Sequence, residues 1–464
     1  MHFPLTDKLC TRRHCLKIKC YLNPVKFRNA IVYHRGDVDK VRDNTDVELD
    51  FRQESNFFYL TGVEKPGFHV IFDLASELVH LVPPTILDDQ KLWTGAPDSP
   101  ETLLEKYDAD TILEEHSVAA FLQARQPSKV LVLDITDVSA LLQAGVPPEK
   151  IDYTALQSAI EEARLVKFPW EIDLIRYAAH VSSHAHIELM QHVAAAQFEW
   201  ELEARFRWVC AKNGAKWQSY IPIIASGPRA ATLHYTRNDA CIPADRHALV
   251  LADAGGECRC YGSDVTRTFP VSGSFTEEAK TIYEIVLKAQ EAVLSRLKAG
   301  VMWMDMHLLV VQILCTELVR IGILRGDPEE LIRLGLYRAF YFHGTGHSVG
   351  LDVHDVGGRQ AGILESKRRK EFVPQEALLG RPLEENMVVT VEPGLYFNET
   401  SLKMWTTMPG FADYFDMKTI KRYWPVGGVR IEDTVVITKD GIENLTIAPK
   451  RVQDIEAIMA RRNR

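Results

Sequence analysis

Hydrophobic and polar positions alternate in short blocks along the first third of the chain. AIVYH (30–34), NFFYLTGV (56–63), HVIFDL (69–74) and LVHLVPP (78–84) have the length and apolar content of strands. Glu64-Lys65-Pro66-Gly67 and Ala75-Ser76-Glu77 supply turns between them. Thr102–Tyr107 has helical spacing, and SKVLVLD (128–134) reads as a further buried strand. The period then lengthens. Asp152 is a candidate N-cap for YTALQSAIEEARLVKF, Pro169 interrupts, and WEIDLIRYAAHVSSHAHIELMQHV continues with apolar residues at helical spacing. Beyond about residue 215, IPIIA, ALVLAD, MVVTVEP and VRIEDTVVIT are strand-like runs, with long helices predicted over 276–299 and 304–322.

A chain of 464 residues holds two or three domains at roughly 100–200 residues each. The pattern predicts a mixed α/β (α+β) fold, with an N-terminal α/β domain over 1–160 and a second domain over 161–464. A net charge of −9 argues against a general nucleic-acid binder. No apolar run reaches the roughly 18 residues of a membrane span. Eight scattered cysteines fit a reduced, cytoplasmic protein without a disulfide framework. Cys10, Cys15 and Cys20 lie near His14, but their spacing is not that of a zinc site. His180 and His184 are four apart on the long helix and could share a face. With no carboxylate motif beside them, packing is the simpler reading, and it extends to His186 and His192.

The chemistry concentrates later. Asp253 ends the run ALVLAD, where a buried carboxylate is unfavourable unless paired or bound to a cation. Asp264, in YGSDVTRTFP, follows eleven residues on, so a hairpin would place the two acids side by side. Adjacent carboxylates repel, and a dication removes the repulsion. FYFHGTGHSVGLDVHDVGG (340–358) packs His343, His347 and His354 into a glycine-rich stretch. Glycine there permits close backbone approach to a ligand. Glu392 ends MVVTVEP. In GGVRIEDTVVIT, Arg430 and Glu432 share one face while Asp433 points the other way. Four acids with one imidazole form an oxygen-rich set suited to Mn²⁺ or a similar dication, Co²⁺ or Zn²⁺ included. Two such ions could activate a hydroxide, so the reaction class is metal-assisted hydrolysis.

At these residues the chain resembles the pita-bread metallopeptidases (family M24B), most closely the Xaa-Pro aminopeptidase and prolidase branch. The matching stretches are LADAGGE, YGSDVTRTFPVSG, HGTGHSVGLDVHDVGG, VVTVEPGLYF, GGVRIEDTVVIT and TLHYTRND (232–239). ARLVKFPWEIDLIRYAAHVSSHAHI and, more weakly, RQESNFFYLTGVEKPG extend the likeness toward the N-terminus. The resemblance implies a creatinase-like N-terminal α/β domain. A pseudo-symmetric pita-bread catalytic domain with a curved, mostly antiparallel sheet would follow it. It implies a metal set of Asp253, Asp264, His347, Glu392 and Glu432, with Asp264 and Glu432 bridging two ions. Glu392 would also take the proton of the attacking water. His354 would contact the scissile carbonyl or the proline nitrogen. His234 and His343 would line the substrate pocket, and Arg430 would support the site and bind substrate.

The implied activity is removal of the residue before a penultimate proline from short peptides, by a homodimer or homotetramer without nucleic-acid or membrane partners. A dipeptidase acting on Xaa-Pro is the near alternative. Methionine aminopeptidases, creatine amidinohydrolase and a non-catalytic protein-binding module fit less well, the last two because five ligands are intact. Three departures stand out. SGPR (Ser226 to Arg229) replaces the usual SGEN, and Thr345 stands where relatives often have Leu. An arginine usual before the VEPG strand has only Arg381 as a candidate, near Leu378 and Leu379.

Overall fold

The computed structural model describes residues 8–245, 247–356 and 381–461. They form two compact units, Met1–Arg164 and Leu165–Arg464. Leu378 and Leu379 lie outside the described residues, as do Gly357 and Gly358.

The first unit is built on a six-stranded mixed sheet. Its strands are β1 (Ile31–Arg35), β2 (His69–Asp73), β3 (Val79–Val82), β4 (Thr111–Ile112), β5 (Val130–Leu131) and β6 (Ile151–Asp152), in the order β4-β3-β2-β1-β5-β6. NFFYLTGV, expected as a strand, is instead part of the helix Ser55–Thr61. The reason is capping. The Glu54 carboxylate accepts from the backbone N–H of Asn56 and Phe57, and Gly62 closes the helix in the left-handed region at φ 68°. Phe57, Phe58, Tyr59 and Leu60 are all buried, so the helix lacks the polar face that would have revealed its period. His14 and Cys15 are absorbed by this packing. His14 stacks on Tyr59 at 3.7 Å and donates from Nδ1 to the Tyr59 carbonyl, while Cys15 contacts the Leu60 carbonyl.

The second unit carries eleven strands among the described residues. These are β7 (Trp217–Gln218), β8 (Ile223–Ser226), β9 (Leu249–Asp253), β10 (Gly256–Cys258), β11 (Tyr261–Gly262), β12 (Thr266–Pro270), β13 (Val388–Val391), β14 (Gly394–Tyr396), β15 (Gly428–Arg430), β16 (Asp433–Ile437) and β17 (Ile442–Asn444). Every pairing between them is antiparallel, in sheets ordered β11-β10-β7, β12-β9-β8, β13-β16-β17 and β14-β15. Helices Glu277–Leu294 and Trp303–Arg320 pack an apolar face into the same core, through Ile282, Val286, Val310 and Leu314. The helix Pro169–His192 begins at the proline that interrupts the preceding helix, a favourable first position because proline lacks the N–H that would go unsatisfied there. His186 on it is fully buried and bonds the Ala254 carbonyl through Nε2 at 3.0 Å.

β12 is joined to the 430–434 segment by side chains as well as backbone. Thr268 and Arg430 exchange hydrogen bonds through the Thr268 hydroxyl and both Arg430 backbone groups. Thr434 Oγ1 donates to the Asp264 carbonyl at 2.7 Å, and the Glu432 N–H donates to the Thr266 carbonyl at 3.1 Å. Behind this seam Arg267 is fully buried. It donates to the carbonyls of Thr266, Glu432, Ala448 and Pro449 and to Asp433 Oδ1 at 2.7 Å. Asp433 also accepts from Lys450 and Asn444. A buried guanidinium is tolerable only when its donors are met in this way. Arg267→Met removes them together and leaves Asp433 short of its buried partner. The expected loss is about 3–5 kcal/mol, the range for breaking one side of a buried pair. Urea unfolding followed by tryptophan fluorescence checks it, and an unchanged midpoint would contradict the seam's importance.

Candidate metal centre

Asp253 is the last residue of β9 and sits opposite Thr266 of β12. Asp264 lies just before β12, so the two acids emerge at the same end of the hairpin. Tyr220 joins them, its hydroxyl lying 2.5 Å from one oxygen of each. A single hydroxyl can donate to only one of the two at a time.

The histidine segment reaches the site by running beside β13. Thr390 N–H donates to the His347 carbonyl, Glu392 N–H to the Thr345 carbonyl and Val349 N–H to the Val388 carbonyl. The approach is close enough to demand glycine: a Cβ on Gly346 would lie 2.1 Å from the Thr390 carbonyl oxygen. His347 and Glu392 thereby become neighbours, with Nε2 3.5 Å from Oε1. His347 Nε2 is 3.3 Å from Asp264 Oδ2. Ligand atoms of Asp264, His347 and Glu432 all lie within 4.8 Å of one another. Glu392 and Asp253 flank this trio, Asp253 held by Arg430 Nη2 at 2.5 Å.

The proton positions favour a cation. His347 Nδ1 faces the Ser348 carbonyl at 3.1 Å, an acceptor, so the proton belongs on Nδ1. The Nε2 lone pair then points at two carboxylates, an arrangement that is repulsive until a positive charge lies between them. The acids report the same crowding. Burial, then the charges of Asp253 and Glu392, push the Asp264 carboxyl well above its ordinary range. Burial, then Asp264 and Asp253, do the same to Glu432. Burial and the Glu432 charge raise Glu392 to about 8. Four carboxylates here face one buried guanidinium, Arg430. Residues with this donor set fit a dication, which replaces the protons that the acids would otherwise keep.

Around the carboxylates are hydroxyls, the Arg430 guanidinium and the His343 ring. Thr266 Oγ1 donates to Glu432 Oε2 at 2.7 Å and accepts from Arg430 Nε at 3.1 Å. Arg430 Nη1 also donates to the Tyr396 hydroxyl at 3.0 Å. His343 donates from Nδ1 to the Gly344 carbonyl, leaving Nε2 to accept from Tyr396 at 2.8 Å. Burial, then Arg430, depress His343 to about 3, so its ring is neutral. The charge of His234, an exposed residue, contributes to that depression. His354 is exposed, and its ring lies edge-on to His347 at 4.1 Å. The structure therefore brings His343, His347 and His354 together with the four acids and Arg430. Among the described residues the His234 ring makes no hydrogen bond.

Tyr220, Thr266, Tyr396 and Thr390 were not anticipated as site residues. Thr266 and Thr390 stand inside the motifs, two residues from Asp264 and Glu392, and Tyr396 stands four from Glu392, so strand periodicity could have found them. Tyr220 lies outside every motif and carries no such signal. The departures have local reasons. Thr345 is fully buried and its hydroxyl bonds both His307 and Tyr341, which Leu could not do. Arg229 pairs with Glu199 at 3.0 Å and bonds Ser226 and the Cys241 carbonyl. Arg381 pairs with Glu384.

Comparison with known proteins identifies the family. The chain belongs to metallopeptidase family M24: that family's model matches residues 173–439, and the model of the aminopeptidase P N-terminal domain matches residues 11–132. The chain is 37% identical over 466 residues to a probable Xaa-Pro aminopeptidase of Ajellomyces dermatitidis, covering 98% of each. It is 39% identical over 438 residues to one of Paracoccidioides brasiliensis, covering 93% of this chain and 92% of that one. The solved aminopeptidase PepP of Pseudomonas aeruginosa superposes with a TM-score of 0.82 at 32% identity, covering 98% of this chain and 99% of that one. Escherichia coli aminopeptidase P with the inhibitor Pro-Leu gives 0.80 at 28% identity, covering 98% of this chain and all of the other. The expected pita-bread architecture behind an N-terminal α/β domain is thus the fold of this chain.

A pH dependence follows. The folded, metal-free site retains protons that the unfolded carboxyls release near their ordinary pKa of about 4.5. Stability is therefore present at low pH and lost as pH rises toward about 8, because the folded state binds more protons than the unfolded one. The buried His343 and His186, depressed to about 3 and about 4, act with the opposite sign below about pH 6.5. The window from about 6.5 to about 8 is thus governed by the acids. Metal-free protein should melt at progressively lower temperature across it, and Mn²⁺ should flatten the fall while releasing protons into a weak buffer. Constant melting without proton release would show that the acids are already ionised.

Proposed function

We propose that this protein is a dinuclear-metal Xaa-Pro aminopeptidase, removing the N-terminal residue of short peptides whose second residue is proline. The observation that carries the reading is the group of buried Asp264, Glu432 and His347 with half-buried Asp253 and Glu392, beside neutral His343, exposed His354 and Arg430. The relatives named above, matched almost end to end, support the same activity.

Charge balance supports two ions. Four carboxylates against Arg430 leave a net charge of −3, which two dications carrying one hydroxide neutralise. When bound, such a pair holds and activates the hydroxide and polarises a carbonyl. Asp253, Asp264, His347, Glu392 and Glu432 would hold these ions. The oxygen-rich set favours Mn²⁺, with Co²⁺ or Zn²⁺ as substitutes.

The remaining roles fall to this chain's own side chains. Glu392 accepts the proton of the attacking water. His354 faces solvent beside His347, suited to meet the scissile carbonyl or the proline nitrogen, which has no N–H of its own. His343 and His234 line the pocket. Arg430 fixes Asp253 and Tyr396 while offering positive charge to the substrate. Assembly as a homodimer or homotetramer belongs to the reading. So does a cytoplasmic setting, supported by eight free cysteines; no described helix is long and apolar enough to cross a membrane.

Two measurements test this. The Mn²⁺-loaded protein should hydrolyse an Xaa-Pro-Yaa tripeptide faster than an Xaa-Pro dipeptide; exclusive cleavage of the dipeptide would identify a dipeptidase instead. Glu432→Ala should abolish hydrolysis and lower the metal content measured by elemental analysis. Full activity in that variant would refute the site.

A further inference from the structure

We infer that Lys167 is a positioning residue for His354, acting through a buried ion pair with Asp355. The inference rests on the substrate-facing role given to His354 above.

His354 is exposed, and the next residue is anchored in the opposite direction. The Asp355 and Lys167 side chains are each 1% exposed, with Nζ 3.0 Å from Oδ2. Lys167 is itself fixed: Nζ donates to the Leu165 carbonyl, and its backbone N–H donates to the Asn386 carbonyl. The pair is wedged against Gly350, where a Cβ would lie 2.1 Å from Asp355 Oδ2 and 3.2 Å from Lys167 Cε. The chain from 348 to 356 closes into a small loop around it. Asp355 N–H donates to the Ser348 carbonyl, Ser348 Oγ donates to the Val356 carbonyl, and Gly350 N–H donates to the Asp352 carbonyl. Gly262 N–H binds the Gly350 carbonyl from the strand leading to Asp264.

His354 therefore projects from a loop whose base is pinned at the adjacent residue. Its ring has a set relation to His347, 4.1 Å away and inclined by 62°. Burying an ammonium and a carboxylate is unfavourable relative to apolar packing, so the pair is weak evidence for stability. What it supplies is a fixed direction for the backbone of residue 355, and through it for the His354 side chain. Neither Lys167 nor Asp355 is among the candidate metal ligands.

The test uses the full-length, Mn²⁺-loaded protein and an Xaa-Pro-Yaa tripeptide. Lys167→Met should lower kcat by about 10²-fold, the loss typical of a displaced catalytic group, with metal content unchanged. Lys167→Arg should recover part of it. In a His354→Ala background the same Lys167→Met change should cost nothing further, because the group it positions is gone. In metal-free protein with labelled histidine, the His354 ring resonance should shift or broaden in Lys167→Met and in Asp355→Asn. The second variant keeps the test valid if Lys167→Met does not fold. Equal losses in both backgrounds, or an unperturbed His354 resonance, would overturn the inference and leave a purely structural pair. Full activity in His354→Ala would instead remove the role of His354, and this inference with it. An impaired His354→Ala beside a wild-type-like Lys167→Met would remove Lys167 alone.

Discussion

Four carboxylates crowded against one buried guanidinium form the constraint on which the catalytic unit depends. No arrangement of Asp253, Asp264, Glu392 and Glu432 this close together is stable as four free anions. The fold answers in two ways. Arg430, Tyr220 and Thr266 take part of the charge by hydrogen bonding, and the remainder stays as bound protons in the metal-free protein. A site that holds protons only because it lacks cations is prepared for metal. Its affinity is purchased by the scaffold that keeps the acids from moving apart.

That scaffold explains the threonines and the buried arginine. Thr266, Thr268 and Thr434 are fully buried, and their hydroxyls bridge β12 to the 430–434 segment where a regular ladder would leave no room for inward-facing acids. Arg267 satisfies the carbonyls on the far side, including that of Glu432. The seam therefore carries Asp264 and Glu432 on one face and a closed polar network on the other. Alternation along β12 and the 430–434 segment separates the two: Thr266, Arg430 and Glu432 face the acids, while Arg267 and Asp433 face the network.

Asp253, Glu392 and Glu432 were legible in the sequence because each interrupts or ends an apolar run, where an acid needs a physical reason; Asp264 was legible from its spacing to Asp253, and His343, His347 and His354 from their clustering in a glycine-rich stretch. The longer strands were legible from their apolar runs. NFFYLTGV was not, because a helix buried all round has no polar face, and only the Glu54 cap and Gly62 distinguish it from a strand. Tyr220 was not legible because its role arises from a tertiary approach to two acids 33 and 44 residues later. Thr345 could be seen as a departure, but its partner His307 comes from a distant helix, so the reason for it appears only in three dimensions.

The departures also bear on how the fold tolerates change. Thr345 and Arg229 both carry polar groups, and both are met by buried partners, His307 with Tyr341 in one case and Glu199 in the other. Glu199 is the more informative. Its two oxygens accept from Ser226, Arg229, Tyr235 and the Ala240 N–H, so one buried carboxylate ties the altered SGPR turn to the segment that presents His234. The Arg229 cation is therefore paired within this anchor. Thr345 and Arg229 are thus satisfied within the scaffold, and the four acids are left to face Arg430.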